Sequence, residues 1–479
     1  MTLASTLAKF LVILLSVYNV RASLVLDNLS DPLYAQAEPD AETGYETNVI
    51  FEAGLHYYQP RHVHISYGNS PTEMFVTWST LSDPGSSIVE FGRGKLSDYR
   101  VNGSTTTFTD SGPYKLTQFI HRVTLENLEP GQPYMYHVGS DLGWSEIFFF
   151  RVMPNDTNWL PQVAVFGDLG SENAQSLTRL QEEVQMGMYD AIIHVGDFAY
   201  DMNTDNGLVG DSFMDQIQPI AGYVPYMTCP GNHENADNFA QYKNRFTMPG
   251  DTESMYFSFN MGPIHFISFS TEFYYFLNYG MSPLINQYYW LENDLKEATK
   301  PENRAIRPWI VTFGHRPMYC SNNNTDDCTY HETRVRVGVP FLHWFGLEDM
   351  FMQYGVDLTI WAHEHSYERM FPLYNRTVYN GSLEEPYRNP KALVHVTTGS
   401  AGCKERHDDF LDYMPRWTAF RSTDYGYSRL KVINNTHLYV EQVSDDKDGK
   451  VIDSFTLIRD HHEPYDIPIP PEPELDLRY

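Results

Sequence analysis

Five short blocks place acidic, amide, imidazole or phenol side chains directly after an apolar run. The run 163–166 leads into Gly167, Asp168, Leu169 and Gly170, and the run 191–195 into Gly196, Asp197 and, three residues on, Tyr200. Segment 225–230 is followed by Gly231, Asn232, His233 and Glu234, the run 309–313 by Gly314 and His315, and the run 358–361 by Ala362, His363, Glu364 and His365. Asp168, Asp197, Tyr200, Asn232, His315, His363 and His365 are too many ligands for one tetrahedral zinc. They suit two cations about 3.5–4 Å apart that share a carboxylate. Such a pair can hold a phosphate between its members, acidify a bound water and stabilise a leaving oxygen. Imidazole donors suit zinc, iron or manganese, and no thiolate-rich spacing points to a softer metal. Taken singly, a Gly-Asp step is a turn, Asn-His a cap and His-Glu-His a solvated strand end. Their recurrence, in order, at five strand ends carries the metal reading. A phenolate is a hard ligand, so Tyr200 selects a trivalent iron whose charge-transfer band would colour the protein.

The apolar runs are nearly continuous and alternate with segments long enough for helices, which implies an α/β sheet covered on both faces. In an open α/β sheet, ligands gather outside the carboxyl ends of the strands. The five strand ends are therefore expected to deliver the ligand set to one edge, with glycines allowing the sharp turns. From 58 to 155 the pattern is instead all-β, with short runs at 74–78, 87–92, 119–125 and 146–151 separated by turns. Segment 128–136, with Pro130, Gly131 and Tyr134, resembles the tyrosine corner of fibronectin-III and immunoglobulin-like sandwiches, which makes Trp78 a core residue. This module carries no polar cluster suited to chemistry. Strand patterns return between 393 and 459. The expected layout is a signal peptide at 1–22, an extension at 23–57, a β-sandwich at 58–155, a catalytic domain at 160–400, a β segment completing it at 401–460, and a tail at 461–479.

The chain has 479 residues with 33 Lys+Arg against 62 Asp+Glu, a formal charge of −29 that disfavours nucleic acid and anionic lipid as partners. Lys9, the apolar run 10–18 and the small-residue pattern at 20–22 read as an export signal too short for stable membrane insertion. Seven glycosylation acceptors, Asn28, Asn102, Asn155, Asn323, Asn375, Asn380 and Asn434, agree with export. The expected location is extracellular, or else lysosomal or another lumenal compartment. Cys229, Cys320, Cys328 and Cys403 allow three disulfide connectivities. Cys320–Cys328 would close a short loop and leave Cys229 to pair with Cys403.

The blocks GDLG at 167–170, GDFAY at 196–200, GNHE at 231–234, GHRP at 314–317 and AHEHSYER at 362–369 resemble the metal-binding blocks of the purple acid phosphatases. The resemblance covers about 58–460, sandwich included, and is closest to the long, plant-like animal members. It implies a fibronectin-III-like β-sandwich followed by a metallophosphoesterase αβ-sandwich. It also implies that Asp168, Asp197, Tyr200 and His365 hold Fe(III), while bridging Asp197, Asn232, His315 and His363 hold a second divalent metal, iron, zinc or manganese. The implied reaction is hydrolysis of phosphate monoesters, small molecules or phosphoproteins, by a metal-bound hydroxide. His233 and His331 contact the substrate, and a protonated imidazole donates to the leaving oxygen. His233 matches the family pattern cleanly, whereas His331 matches by region only. The loop after His315 carries 322–325, Asn-Asn-Asn-Thr, where plant members have further histidines.

Other residues read more plainly. His194 is expected in the core, Glu332 and Glu364 at the surface, Arg369 in a salt bridge, and the aromatic cluster 273–279 in packing. Gly399 to Gly402 fits a phosphate contact or a plain turn equally well. Two competing functions remain: a binuclear phosphodiesterase or nucleotidase on the same scaffold, and a non-catalytic extracellular binding protein.

Overall fold

The computed structural model describes residues 55–325 and 327–468. The expected export signal, Asn28, nearly all of the extension and the end of the tail lie outside the described residues.

The first module is a β-sandwich. One sheet joins Arg61–Tyr67, Met74–Thr80, Thr117–Leu125 and Ser104–Thr109, and the other is built on Tyr99–Asn102, Ile88–Gly92 and Pro133–Ser140. Alternation decides which side chains point inward: in Phe148–Arg151, Phe148 and Phe150 are buried while Phe149 and Arg151 are exposed. The Tyr134 hydroxyl accepts the Glu129 amide at 3.1 Å, the tyrosine-corner bond, and Trp78 is buried against the His121 ring. The sandwich is tied to the next module by hydrogen bonds that cross the boundary. Tyr136 Oη donates to the Gly222 carbonyl at 2.7 Å, and Arg61 pairs with Asp215 at 2.6 Å.

The second module contains two mixed sheets. In the first, Tyr226–Cys229, Ala191–Val195 and Gln162–Phe166 run parallel, and Gly426–Asn434, His437–Ser444 and Lys450–Ile458 extend it antiparallel. In the second, Ile264–Ser268, Trp309–Phe313, Leu358–Trp361 and Val394–Thr398 are parallel neighbours. The five expected strand ends therefore come from two sheets rather than from one edge. Ala191–Val195 and Trp309–Phe313 are buried at every residue, as strands covered on both faces must be. Helices supply the covers. Leu208–Ala221 buries Phe213, Met214, Ile217 and Ile220, the three-and-four spacing of an amphipathic helix. Ser282–Ala298 buries Leu284, Tyr288, Leu291 and Leu295 in the same rhythm, and its Gln287 amide bonds both backbone groups of Ser270. Among the described residues, no helix is long and apolar enough to cross a membrane.

Candidate metal centre

Each sequence-predicted ligand stands in the turn after its strand, and four of them hold left-handed backbone: Asp168 at φ 60°, Asp197 at 53°, Tyr200 at 59° and His363 at 70°. Such conformations cost roughly 1–3 kcal/mol each and persist where the surrounding structure imposes them. Two glycines show what imposes them here. A Cβ on Gly196 would lie 2.6 Å from His315 Nδ1, and one on Gly231 would lie 2.2 Å from Asp197 Oδ1. The turns are packed so closely that only bare backbone fits.

The side chains converge in two groups. In the first, Tyr200 Oη lies 3.1 Å from Asp168 Oδ1 and 2.7 Å from His365 Nε2, which is itself 3.5 Å from the same carboxylate oxygen. In the second, His315 Nε2 lies 3.1 Å from Asp197 Oδ2, 3.2 Å from Asn232 Oδ1 and 3.2 Å from His363 Nδ1. The outward nitrogens fix the tautomers. His315 Nδ1 lies 2.8 Å from the Val195 carbonyl and His365 Nδ1 lies 2.7 Å from the Arg406 carbonyl, so each Nδ1 carries a proton and each Nε2 is the nitrogen turned to the cluster. Each set thus brings oxygen and imidazole nitrogen atoms within about hydrogen-bonding distance of one another. That donor chemistry, oxygen with imidazole nitrogen, fits a pair of borderline or hard cations.

The supporting shell keeps the charges in place. Glu234 is buried, and its carboxylate accepts the amides of Asp197 at 2.9 Å, Phe198 at 3.0 Å and Gly231 at 2.8 Å, pinning two ligand turns at once. Asp408 accepts the His365 amide at 2.8 Å, and Asp168 Oδ2 accepts the His363 amide at 2.9 Å. Burial, the largest influence on Asp197, works to raise its pKa, but His315, His233 and His363 outweigh it and hold the carboxyl well below its usual range. Burial, then the charges of Asp168 and Asp197, pushes the Tyr200 phenol well above its ordinary value. A cation placed among these groups reverses that pressure, because the charge it brings stabilises phenolate.

His233 stands at the rim. Its amide donates to Asp197 Oδ1 at 2.9 Å, its Nδ1 lies 2.9 Å from Asp201 Oδ1, and its ring lies against that of Tyr200 at 4.4 Å. Burial lowers its pKa, but Asp201, Asp197 and Glu234 more than compensate and raise it to about 9. Among the described residues, no hydrogen bond or ion pair joins His331 to this group; it is exposed, and its carbonyl accepts Arg336 at 2.6 Å.

Several expectations need correction. Cys320 and Cys328 form a disulfide, but Cys229 and Cys403 are both free and buried, so the second expected bridge is absent. The two residues serve different elements: Cys229 ends a sheet strand, while Cys403 Sγ lies 3.5 Å from His365 Nδ1. Glu364 is fully buried rather than at the surface; Asn324 donates to it at 2.8 Å, and Cys328 Sγ lies 2.9 Å from its carboxylate. As expected, Glu332 is exposed, here beside His343, His194 is in the core with its Nδ1 2.6 Å from Tyr226 Oη, and Arg369 pairs with Asp453. Gly399 is a close-approach position, since a Cβ there would meet Asp168 Oδ2 at 2.6 Å. Sequence reasoning gave no role to Arg316, Asp201, Glu234 or Asp408. The first three sit beside predicted site residues, and adjacency was the available signal; Asp408 arrives from a distant loop and had none.

Two sheets whose strand ends present paired oxygen and imidazole donors define a metallophosphoesterase. Comparison with known proteins agrees. Residues 161–367 match the Calcineurin-like phosphoesterase family, residues 60–152 the Purple acid Phosphatase, N-terminal domain, and residues 392–454 the Iron/zinc purple acid phosphatase-like protein C family. The chain is 57% identical over 416 residues to acid phosphatase type 7 of Danio rerio, covering 85% of this chain and 93% of that protein. It is 52% identical over 403 residues to acid phosphatase type 7 of Homo sapiens, covering 84% and 91%. The structure of purple acid phosphatase PPD1 from yellow lupin (Lupinus luteus) seeds shares the fold, with a TM-score of 0.70 at 24% identity over 84% of this chain and 75% of that one. The chain belongs to the purple acid phosphatase family and is a phosphatase.

Proposed function

We propose that the protein is an exported acid phosphatase that hydrolyses phosphate monoesters to alcohol and inorganic phosphate at an Fe(III)–M(II) centre, with M iron or zinc. The observation that carries this reading is the convergence of the Tyr200 phenol with Asp168 and His365 beside a second, phenol-free set. Asp168, Tyr200 and His365 would hold Fe(III), Asn232, His315 and His363 the divalent ion, and Asp197 both. Bound there, the ions supply Lewis-acid charge and an acidified water as nucleophile.

The chain's own residues supply orientation and a proton. The carboxylate of Asp201 takes the Nδ1–H of His233, so in the imidazolium the remaining proton is on Nε2, which lies 3.9 Å from Asp197 Oδ2 at the edge of the centre. From there it can pass to the leaving alkoxide, and the substrate's alcohol departs neutral. The exposure of His331 favours His233 as that donor. Among the described acceptor sites, Asn102, Asn155, Asn323, Asn375 and Asn434 are exposed, as N-glycans on an exported protein require.

The direct test is hydrolysis of 4-nitrophenyl phosphate against bis(4-nitrophenyl) phosphate in the presence of tartrate. The reading expects tartrate-insensitive hydrolysis with strong preference for the monoester. Preference for the diester would move the assignment to a phosphodiesterase on the same scaffold.

A further inference from the structure

The acceptor sequence Asn323-Asn324-Thr325 stands inside the loop that the Cys320–Cys328 disulfide closes. The asparagines on either side of Asn323 reach the supports of the metal centre. Asn322 Nδ2 donates to Ser366 Oγ at 3.0 Å, and Asn324 Nδ2 donates to Glu364 Oε2 at 2.8 Å. Ser366 and Glu364 are both buried, and they flank His365 in the chain. Asn323 itself is exposed, and its amide donates to the Asp409 carbonyl at 2.8 Å. A covalent bridge and these hydrogen bonds therefore hold the acceptor at a defined place, and Asn323 is the residue of the three left to solvent.

That place adjoins the way into the centre. Asp168, Asp197, Tyr200 and His315 are buried, whereas Asn232, His233 and His363 are partly exposed, so a substrate enters past the last three. Two segments border them. On the His363 side, Asp327 of the disulfide loop pairs with Arg316, whose Nη1 lies 2.9 Å from His363 Nε2. On the His233 side, Glu405 lies 3.8 Å from Nε2, and its segment runs on through Asp408, which accepts the His365 amide at 2.8 Å, to Asp409. The bond from Asn323 to Asp409 joins these two segments, so the acceptor sits where they meet.

Resting on the reading of an exported monoesterase under Proposed function, we propose that a glycan on Asn323 makes the centre selective by size, so that small phosphate monoesters are its substrates and folded phosphoproteins are held off. A glycan is bulky, hydrophilic and confined to solvent. Rooted here, it fills water beside the opening without touching the ligands. A small monoester passes it freely. A folded phosphoprotein has to bring its own surface against the rim before a phosphoserine can enter, and the glycan occupies that space.

The experiment uses the full chain secreted by a glycosylating cell line, with metal content measured for every sample. Peptide mapping should find Asn323 glycosylated. Two substrates of one chemistry are then compared by kcat/KM: free phosphoserine, and the phosphoserines of folded ovalbumin. Asn323→Gln and Thr325→Ala remove the glycan through different residues. Each should raise kcat/KM on ovalbumin about tenfold or more and leave that on phosphoserine within about twofold, at unchanged metal content. Asn102→Gln, which removes an acceptor on the sandwich, should change neither. Should both loop variants fail to fold, trimming the folded wild type with an endoglycosidase decides instead. An unmodified Asn323 beside other glycosylated acceptors would overturn the proposal. So would an ovalbumin-to-phosphoserine ratio that stays put once the Asn323 glycan is gone. A chain glycosylated nowhere would instead bring down the export reading, and one that leaves phosphoserine and 4-nitrophenyl phosphate intact the monoesterase reading, each taking this proposal with it.

Discussion

The phenol oxygen of Tyr200 lies 2.7 Å from Nε2 of His365, a residue 165 positions away on the other sheet of the catalytic module. Tyr200 reaches that point from a left-handed turn after Ala191–Val195, and His365 from the turn after Leu358–Trp361. Neither strand places its ligand without the other, so this contact reports on the assembly of the whole centre.

The phenol itself is the first thing to remove. Tyr200→Phe keeps the ring, which is buried and lies 4.4 Å from that of His233, and deletes the oxygen. The variant should fold with an unchanged circular dichroism spectrum, lose visible absorption, and fall in kcat/KM by about a hundredfold, the usual scale for losing a ligand or its close support. A variant as coloured as the wild type would assign the chromophore elsewhere.

Glu234 makes a different prediction because it touches backbone rather than metal. Its carboxylate accepts three amides, and a glutamine can offer only one oxygen while turning an N–H towards at least one of those donors. Glu234→Gln should destabilise the protein by about 2–4 kcal/mol, as leaving buried donors unsatisfied does, and should show in urea unfolding. A change below about 0.5 kcal/mol would mean these turns are held by something else.

His233 predicts a pH effect with a definite sign. Its pKa stands raised at about 9 against an ordinary 6.5, held there by Asp201, Asp197 and Glu234 against burial, with Glu405 3.8 Å from Nε2. The associated stability is fully present below pH 6.5 and fades as the pH rises through about 9. Removing the Asp201 charge takes away a raising influence. Asp201→Asn should therefore shift the alkaline limb of kcat to lower pH by about one unit, read from pH–rate profiles. An unmoved limb would exclude His233 as the titrating donor.

Buried histidines elsewhere act in the opposite sense. Burial pushes His64 and His121 of the β-sandwich down to about 4, with Asp83 opposing and Arg122 adding for His121. Their contribution to stability is present above the unfolded value of 6.5 and is lost as the pH falls from there through about 4. Each is worth on the order of 3 kcal/mol across that window. The melting temperature should drop between pH 6.5 and pH 4, and His121→Gln should flatten the fall. A profile equally steep in the variant would place the acid sensitivity outside the sandwich.

The sequence made much of this site legible and left some of it closed, for identifiable reasons. The convergent side chains were visible because each follows an apolar strand through a turn, and chemistry of that kind repeats locally. The tyrosine corner was visible because Pro130, Gly131 and Tyr134 form a local signature. What lay beyond reach was non-local. Spacing does not say which strands share a sheet, so two sheets were read as one edge. Cysteine parity does not say which thiols approach, and Cys403 lies beside His365 rather than Cys229. Glu364 reads as polar and exposed until the Cys320–Cys328 loop is laid over it, and the loop that covers Glu364 leaves His331 in solvent.

The most direct test of the account is metal analysis and a visible spectrum of the purified wild-type protein, with activity followed on the same sample. The account predicts two metal ions per chain, at least one of them iron, and a visible charge-transfer band that disappears in Tyr200→Phe. A colourless, iron-free protein that hydrolyses phosphate monoesters at full rate would contradict it.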